Sequence, residues 1–460
     1  MIATRLPSTP DVRGKTRLRG PLTANLAALL LPVEFEFVPI HTDLRQAIYA
    51  LSDALDLVGV DDVGHGKRVG VMAAECARAA GWPAAQVRGV FDLGLLHDIG
   101  VSSTATHQRL VSEFDWAGSQ DHAEVGYRLL GDFPPLAHMA LPIRWHHTRY
   151  DRLMASGVPS DVIAQSNLIL LVDRVDALAG NYHSSHGALR HRTEIQHEVV
   201  TRRGSYFDPY WVDAFLRASA HDAFWLRLES RALTSYRMEM LSTNPPSQAS
   251  QSELKALAAI FAQIVDAKSP FTVAHSRGVA RVARCLAEFL GVSANQCDKL
   301  EIAGLLHDLG KLRVPDLILD KPGELNAEEH LQMRSHSFET QQILCHIQGF
   351  EEIAAWAANH HEEPGGSGYP FGIDAAQLPL EARILRVADI FQAMVQDRPY
   401  RSGLSKAAVC EFMTALQVHG RVDAEIVDVL IAHIDQMTAA ATLEVAPVPR
   451  RPSRSLLPAS

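Results

Sequence analysis

Apolar residues recur at helical spacing along most of the chain, as in ELKALAAIFAQIVDA (253–267) and SRGVARVARCLAEFLG (276–291). A period near 3.6 residues places such side chains on one face of a helix. Alternation of apolar and polar positions, which would indicate strands, is hard to find in either half of the chain. The pattern therefore predicts an all-α fold.

Breaks in this pattern mark tails and a linker. Residues 1–20 mix Pro, Gly and Arg without periodicity, residues 442–460 are similar, and both segments are predicted to be disordered tails. The segment LSTNPPSQASQS (241–252) is polar and contains a proline pair, which is typical of an inter-domain linker. Two globular domains are therefore expected, at 21–240 and 253–441, in agreement with a length of 460 residues.

The two domains share an ordered set of five histidines and two aspartates. The N-terminal set is His65, His97, Asp98, His122, His146, His147 and Asp173. The C-terminal set is His275, His307, Asp308, His336, His360, His361 and Asp389. Corresponding members lie 210, 214 or 216 residues apart, and LGLLHDIG (93–100) parallels AGLLHDLG (303–310). Residue types and spacing together predict a tandem duplication of one helical domain.

Each set predicts a metal centre. A single buried histidine is usually an ordinary core residue, but seven such groups buried without a cation would each cost several kcal/mol. Imidazole and carboxylate without thiolate suit divalent iron, manganese, cobalt or zinc. Seven ligands are too many for one ion, so two metals per site are expected, bridged by the aspartate of the His-Asp pair. Such pairs activate water and stabilise charge during displacement at phosphorus.

Composition limits which binding partners and which cellular location are expected. A net charge of −10 argues against binding to a nucleic-acid polymer, which requires a basic surface. The five cysteines are scattered without a CxxC pair, as in a reduced cytosolic protein. Leu26–Leu31 is the longest apolar stretch near the start and is too short for a membrane span or a signal peptide. A cytoplasmic protein without membrane contact is expected.

The C-terminal half resembles a known family. Residues 266–401 contain these motifs in order: AHSRGVARVA (274–283), LLHDLGKLRVPDLILDKPGEL (305–325), His336, HHEEPGGSGYP (360–370), EARILRVADIF (381–391) and DRPYR (397–401). In this order and spacing they resemble an HD-GYP domain. The resemblance implies a helical, metal-dependent phosphodiesterase that opens cyclic di-GMP or cyclic GMP-AMP to a linear dinucleotide. Further cleavage to the mononucleotide is left open.

The resemblance also implies roles for individual residues. It makes the C-terminal set of seven the metal ligands, with Asp308 as the bridging ligand. Asp308 and Lys311 are then the catalytic residues, and Lys311 contacts the scissile phosphate. Arg398 and Arg401 hold the second phosphate or a guanine edge, unless they belong to a solvated helix face. Tyr369 either stacks on a base or only shapes the turn of the GYP loop.

Two departures from the family pattern leave an alternative open. Gly365 stands where the family usually has an aspartate, and Phe271 stands where some members have a glutamate that reaches a third metal. Two metals are therefore expected here. The competing hypothesis is a receptor that binds a cyclic dinucleotide without turnover and signals through helices between the two halves. Either function is compatible with a homodimer or a signalling-protein partner.

The N-terminal copy retains the ligands but not the residues expected to bind substrate. Val101 replaces the phosphate-binding lysine, and no GYP or RPYR follows. This half resembles the wider HD phosphohydrolase group. Asp61 is expected to be a helix cap, with an added metal carboxylate as the alternative. Three interpretations compete: a phosphohydrolase of different substrate, a metal-filled regulatory domain, and a packing partner left from duplication. A metal-bound domain of weak or different activity is favoured.

Overall fold

The helical periodicity of the sequence is realised throughout the described chain. The structure is a computed structural model that describes residues 40–59, 64–114, 116, 118–180, 187–243, 247–269, 274–397 and 402–443. The tail predicted at 1–20, most of the tail predicted at 442–460, and Asp61, Phe271, Arg398 and Arg401 lie outside these residues. Within the described ranges no strand is present, and isolated bridges join Asp43 to Gln248 and Arg203 to Phe207. The all-α prediction is confirmed.

The described N-terminal half contains thirteen α-helices. They are α1 (Leu44–Asp56), α2 (His65–Ala79), α3 (Ala84–Leu96), α4 (Thr104–Ser112), α5 (Ser119–Gly131), α6 (Ala137–Trp145), α7 (Tyr150–Ala155), α8 (Ser160–Ala179), α9 (Gly187–Arg190), α10 (Arg192–Thr201), α11 (Pro209–Ser219), α12 (Asp222–Leu226) and α13 (Ser230–Ser242). A 3-10 helix, Leu57–Gly59, follows α1.

The described C-terminal half contains ten α-helices. They are α14 (Gln251–Ala267), α15 (His275–Phe289), α16 (Ala294–Leu306), α17 (Asp316–Leu319), α18 (Ala327–Leu344), α19 (Glu351–Ala358), α20 (Leu380–Val395), α21 (Lys406–Val418), α22 (Ala424–Ala432) and α23 (Ile434–Thr442). A 3-10 helix, Leu309–Arg313, follows α16.

Helices that carry the repeated residues recur in the same order in both halves. The helices α2 and α15 each have 15 residues and begin at the first histidine of their set. The helices α3 and α16 each have 13 residues and end just before the His-Asp pair. In both halves these two helices pack against each other, and α8 and α20 lie against α2 and α15. The matching helices bring distant parts of each sequence half to one place.

Glycine permits the close packing beside each His-Asp pair. A Cβ atom on Gly310 would lie 2.1 Å from the carbonyl oxygen of His336, and one on Gly100 would lie 2.0 Å from that of His122. No side chain fits in such a gap, so each glycine lets a histidine-bearing helix approach the chain just after the His-Asp pair. This contact fixes the third histidine of each set relative to the aspartate.

The two halves pack against each other. The helix α1 contacts both α14 and α18, and the two 3-10 helices contact one another. Within the predicted linker, Ser247 and Ala249 exchange backbone hydrogen bonds with Leu44 and Thr42, both of 2.9 Å. Ala249 is buried. The described part of the linker is therefore built into the junction between the halves.

The structure also describes the cysteines and the length of the apolar helices. All five cysteines are unpaired thiols, as their spacing predicts. Among the described residues, no helix has the length and apolar character needed to cross a membrane.

Candidate metal centre

The seven residues of the C-terminal set converge from five segments of the chain. His275 begins α15, His307 and Asp308 follow α16, and His336 lies in α18. His360 and His361 follow α19, and Asp389 lies in α20. Potential ligand atoms lie within 4.8 Å of one another in three overlapping groups: His275 with His307 and Asp308, His307 with His360 and Asp389, and His336 with His360 and His361. The structure thus brings together all seven predicted ligands of this half.

Backbone carbonyl groups orient three of these imidazoles. The Nδ1 atoms of His307, His336 and His360 donate to the carbonyl oxygens three residues earlier, over 2.8, 2.6 and 2.6 Å. A carbonyl oxygen only accepts, so Nδ1 carries the proton and Nε2 presents a lone pair. This is the arrangement that metal-bound histidines use.

The first histidine of each set is oriented by a side chain that the sequence analysis missed. His275 donates from Nδ1 to the amide oxygen of Gln392, and His65 Nδ1 lies 2.8 Å from Asp176. Arg68 holds the Asp176 carboxylate at 2.7 Å. Asp176 and Gln392 each follow the last aspartate of their set by three residues, and they lie 216 residues apart. That shared spacing was the signal available in the sequence.

Asp308 lies between two groups of histidines. Its Oδ2 atom is 3.7 Å from His275 Nε2 and 3.3 Å from His307 Nε2. Its Oδ1 atom is 3.5 Å from His336 Nε2 and 3.8 Å from His360 Nε2. One carboxylate oxygen therefore faces each group, as a ligand shared by two ions requires.

The donor set fits divalent metal ions. Asp308 Oδ1 and His307 Nε2 are buried and have no hydrogen-bond partner among the described residues. Buried polar atoms are rarely left unsatisfied, so these two atoms indicate that a group is to be bound between them. Nitrogen and carboxylate oxygen donors without sulfur suit iron, manganese, cobalt or zinc.

Charge states of five of the seven groups also suit a metal, whereas Asp308 and Asp389 outweigh burial and raise the pKa of His307. Burial lowers the pKa of His336 to about 4. Burial and the neighbouring imidazoles hold the pKa values of His360 and His361 well below the usual range. Burial opposes ionisation of Asp308 and Asp389, but the surrounding histidines hold both pKa values below the usual range. Neutral imidazoles and ionised carboxylates are the forms that bind metals.

Lys311 reaches the cluster from the 3-10 helix after Asp308. Its Nζ atom lies 2.5 Å from Asp308 Oδ2, and its side chain is 21% exposed. Burial opposes the charge, but Asp308 and Asp389 outweigh that effect and raise the pKa of the ammonium group. Lys311 is therefore a cation at the edge of the cluster.

The GYP loop is braced by the glutamate of HHE. The Oε1 atom of Glu362 accepts hydrogen bonds of 2.6 and 3.0 Å from the backbone N–H groups of Phe371 and Gly372. A Cβ atom on Gly368 would lie 2.4 Å from Glu362 Cα, so only glycine fits there. This loop places the Tyr369 ring against His361, stacked at 4.7 Å between centroids.

The N-terminal set converges in the same geometry. Asp98 Oδ2 lies 3.8 Å from His65 and 3.5 Å from His97, whereas Oδ1 lies 3.1 Å from His122 and 3.7 Å from His146. His147 Nε2 lies 3.2 Å from His122 Nε2. The seventh member, Asp173, lies 3.4 Å from His65 through Oδ1. All seven predicted ligands of this half also meet.

The surroundings of the N-terminal cluster differ. Arg174, which the sequence analysis missed, donates to Asp173 Oδ2 at 2.8 Å and to the carbonyl oxygen of Leu110 at 2.9 Å. It thereby ties the end of α4 to the cluster. His107 of α4 is buried, with its ring centroid 6.0 Å from that of His65. The residue 210 positions later, Leu317, is 88% exposed.

Val101 takes the backbone position of the missing lysine. Its N–H donates to the Asp98 carbonyl oxygen at 2.8 Å, as Lys311 N–H does to that of Asp308. The Val101 side chain is buried and carries no charge. The N-terminal cluster therefore has no cation where Lys311 stands in the C-terminal cluster.

Comparisons with known proteins agree with this architecture. The HD domain family model matches residues 259–426. The chain is 36% identical to 3'3'-cGAMP-specific phosphodiesterase 1 of Vibrio cholerae serotype O1 over 405 residues, which are 86% of this chain and 93% of that protein. It is 34% identical over 224 residues to the cyclic di-GMP phosphodiesterase response regulator RpfG of Xanthomonas campestris pv. campestris, covering 47% of this chain and 58% of that protein.

A solved structure shares the fold. The crystal structure of a cyclic GMP-AMP-specific phosphodiesterase of V. cholerae, V-cGAP3, superimposes with a TM-score of 0.59 at 23% identity. The alignment covers 86% of this chain and 98% of that chain. The all-helical arrangement of both halves is thus present in a known protein.

Proposed function

The chain belongs to the family of HD-domain cyclic-dinucleotide phosphodiesterases, and we propose that its C-terminal metal centre hydrolyses a cyclic dinucleotide to a linear one. The protein is an enzyme of the metal-dependent phosphohydrolase type. Its relatives act on 3'3'-cGAMP and on cyclic di-GMP, according to their names. One relative that matches both halves is named for 3'3'-cGAMP, which is therefore the first substrate to test.

The position of Asp308 carries the proposal. Its two oxygens face two groups of histidines, and Lys311 lies beside it. Two ions, of iron, manganese, cobalt or zinc, would be held here, with Asp308 between them. When bound, such ions supply a hydroxide at neutral pH and stabilise negative charge on phosphate oxygens.

The residues around the cluster would orient the substrate. Lys311 donates to a non-bridging oxygen of the scissile phosphate, where its charge compensates that of the phosphate. Burial of the histidines excludes bulk water from one side of the cluster. Arg398 and Arg401, which lie outside the described residues, remain predicted contacts to the second phosphate or to a guanine edge.

For the N-terminal half, we propose an HD-type domain that holds metal with weak or different activity. Its seven ligands have the geometry of the C-terminal set. Arg174 occupies one oxygen of Asp173, and Val101 supplies no phosphate contact. Phosphodiesterase turnover is therefore assigned to the C-terminal cluster, and a regulatory role suits the N-terminal one.

Product analysis tests the function directly. The full-length protein, loaded in turn with manganese, iron, cobalt or zinc, is incubated with 3'3'-cGAMP and with cyclic di-GMP, and the products are separated by chromatography. A linear dinucleotide, lost after chelation of the metal, is expected from one substrate or both. Binding of the intact cyclic dinucleotide without any product would instead establish the receptor alternative.

A further inference from the structure

A cavity opens beside the metal centre of the C-terminal half. Its volume is about 460 Å³, within the usual range for sites that bind small molecules. His361, one of the predicted metal ligands, lines one part of it, and Phe412, Leu416 and Arg421 line another. A molecule bound at the metals can therefore extend into this cavity.

The cavity has an exposed aromatic ring that the protein does not use. Tyr369 already stacks on His361, and the Arg334 guanidinium lies 4.6 Å from the centroid of its ring. Phe412, on α21, is 46% exposed beside the buried Leu416. Its ring is thus the available platform for a flat ligand, and stacking on an aromatic side chain is a common way to hold a nucleobase.

Guanidinium groups dominate the polar lining. Arg386 and Arg421 share the single carboxylate of Glu363, at 2.7 and 3.0 Å from Oε1, and Ser367 donates to Oε2 at 2.6 Å. No described carboxylate lies within 4 Å of Arg334. The lining therefore contains three guanidinium groups and only one carboxylate, whose two oxygens are already engaged.

This lining favours guanine over adenine. Guanine presents two acceptors, O6 and N7, on one edge, and an arginine fork pairs with both. Adenine presents a donor beside an acceptor and pairs best with Asn or Gln, and neither is among the described lining residues. The exposed Arg421 uses Nε and Nη2 for Glu363, and among described residues Nη1 has no acceptor.

We propose that the cavity formed by Arg334, Phe412 and Arg421 is a guanine subsite for the cyclic dinucleotide. The proposal rests on the proposed function, since it concerns the base of that substrate. The base stacks on Phe412, and Arg421 reads its O6 and N7 edge while Glu363 holds the guanidinium in place. Cyclic di-GMP and cyclic GMP-AMP both contain a guanine, so the subsite serves either substrate.

Titration with mononucleotides tests the subsite without requiring turnover. GMP and AMP, which differ only in the base, are titrated calorimetrically into the metal-loaded, full-length protein. GMP is expected to bind about tenfold more tightly than AMP, because one good bidentate contact discriminates bases to about that extent. Arg421→Lys keeps the charge beside Glu363 but loses the fork, so it should abolish the preference.

A second pair of variants separates the loss of stacking from a general loss of structure. Phe412→Ala should weaken binding of GMP about tenfold. Phe289→Ala is the matched control, because Phe289 is also 46% exposed but lies at the end of α15 opposite His275. It should bind GMP as the wild type does. Equal affinities for GMP and AMP in the wild type, or unchanged GMP binding by Phe412→Ala, would overturn the proposal.

Steady-state kinetics distinguish failure of the guanine subsite from failure of the proposed function. With a cyclic dinucleotide that the wild type hydrolyses, Phe412→Ala should raise KM about tenfold with a smaller change in kcat, at unchanged metal content. A kcat loss without a KM change contradicts the subsite. If the wild type hydrolyses no cyclic dinucleotide, the proposed function fails, and the mononucleotide titration still decides the subsite.

Discussion

The carboxylate of Asp316 accepts a 2.7 Å hydrogen bond from the hydroxyl of Ser103, across the junction between the two halves. It also receives the backbone N–H groups of Thr104 and Ala105, at the N-terminus of α4, and the Lys268 ammonium at 3.1 Å. A negative charge there stabilises the helix. Asp316 lies five residues after Lys311, and α4 covers the N-terminal cluster. The contact therefore links the surroundings of the two histidine–aspartate clusters.

The Asp316 contact should make stability depend on pH. Burial opposes its charge, but Ser103 and Lys268 outweigh burial and lower the pKa of Asp316. The pKa of Lys268 is also lowered, because that side chain is almost fully buried and Asp316 only partly compensates. Four donors meet the partly exposed carboxylate of Asp316 and favour its ionised form. A lowered carboxyl pKa stabilises the fold above the unfolded value of about 3.9, and the contribution is lost as the pH falls through the folded value.

Asp316→Asn should therefore lower the free energy of unfolding at pH 7 by about 1 kcal/mol. Urea unfolding of both proteins, followed by circular dichroism, is repeated at decreasing pH. The difference between them should shrink below about pH 4. Asp374→Asn, at an exposed position, is the control. A difference that stays constant with pH would contradict the role given to the charge.

Gly310→Ala tests the close packing after the His-Asp pair. The new Cβ would meet the backbone oxygen of His336 at 2.1 Å, so α18 must shift and carry His336 away from Asp308. Overpacking of this kind costs about 1–3 kcal/mol or more. Chemical unfolding and metal analysis should both show a loss. Gly365→Ala, whose Cβ would meet only the Gly420 oxygen at 3.7 Å, should show neither.

Asp308→Ala and Asp98→Ala separate the roles of the two clusters. Removal of Asp308 eliminates the carboxylate between the two histidine groups, and turnover of the cyclic dinucleotide should fall by about three orders of magnitude or more. Asp98→Ala should retain most of the activity, apart from effects through domain packing. Steady-state rates of the two variants, at equal protein concentration, give the comparison. An inactive Asp98 variant beside an active Asp308 variant would reverse the assignment.

Metal content tests whether both clusters bind ions. His336→Ala and His122→Ala each remove one imidazole that faces the central aspartate, at 3.5 and 3.1 Å. Each single variant should hold less metal than the wild type when the full-length proteins are analysed by mass spectrometry. The double variant, which carries both His336→Ala and His122→Ala, should hold the least. Unchanged metal in folded His122→Ala would show that the N-terminal cluster needs no metal.

Lys311→Ala tests substrate binding apart from metal binding. A protonated lysine is not a metal ligand, so metal content should stay the same while kcat/KM falls at least about tenfold. Lys321→Ala removes a similar side chain whose partner is Glu329, and it should retain full activity. Metal loss in Lys311→Ala would show that the residue supports the cluster instead.

Helical periodicity and the repeated ligand set were sufficient to predict much of this protein. The 3.6-residue period identifies the helices because one face of each must be buried. The matching order of seven histidines and aspartates identifies both clusters, because ligand types at fixed spacing on helices survive as a pattern in the sequence. These features are local, and the chain displays them directly.

The tertiary structure decided what surrounds each cluster. Arg174 follows a predicted ligand, yet its contact with both Asp173 and the end of α4 depends on how separate helices pack. Phe412 and Arg421 are an ordinary apolar residue and an ordinary cation in the sequence, and they line a cavity with Tyr369 only because α21 lies against α20. The junction through Asp316 likewise joins residues more than 200 positions apart. Such contacts depend on the relative placement of helices, which no periodicity in the sequence encodes.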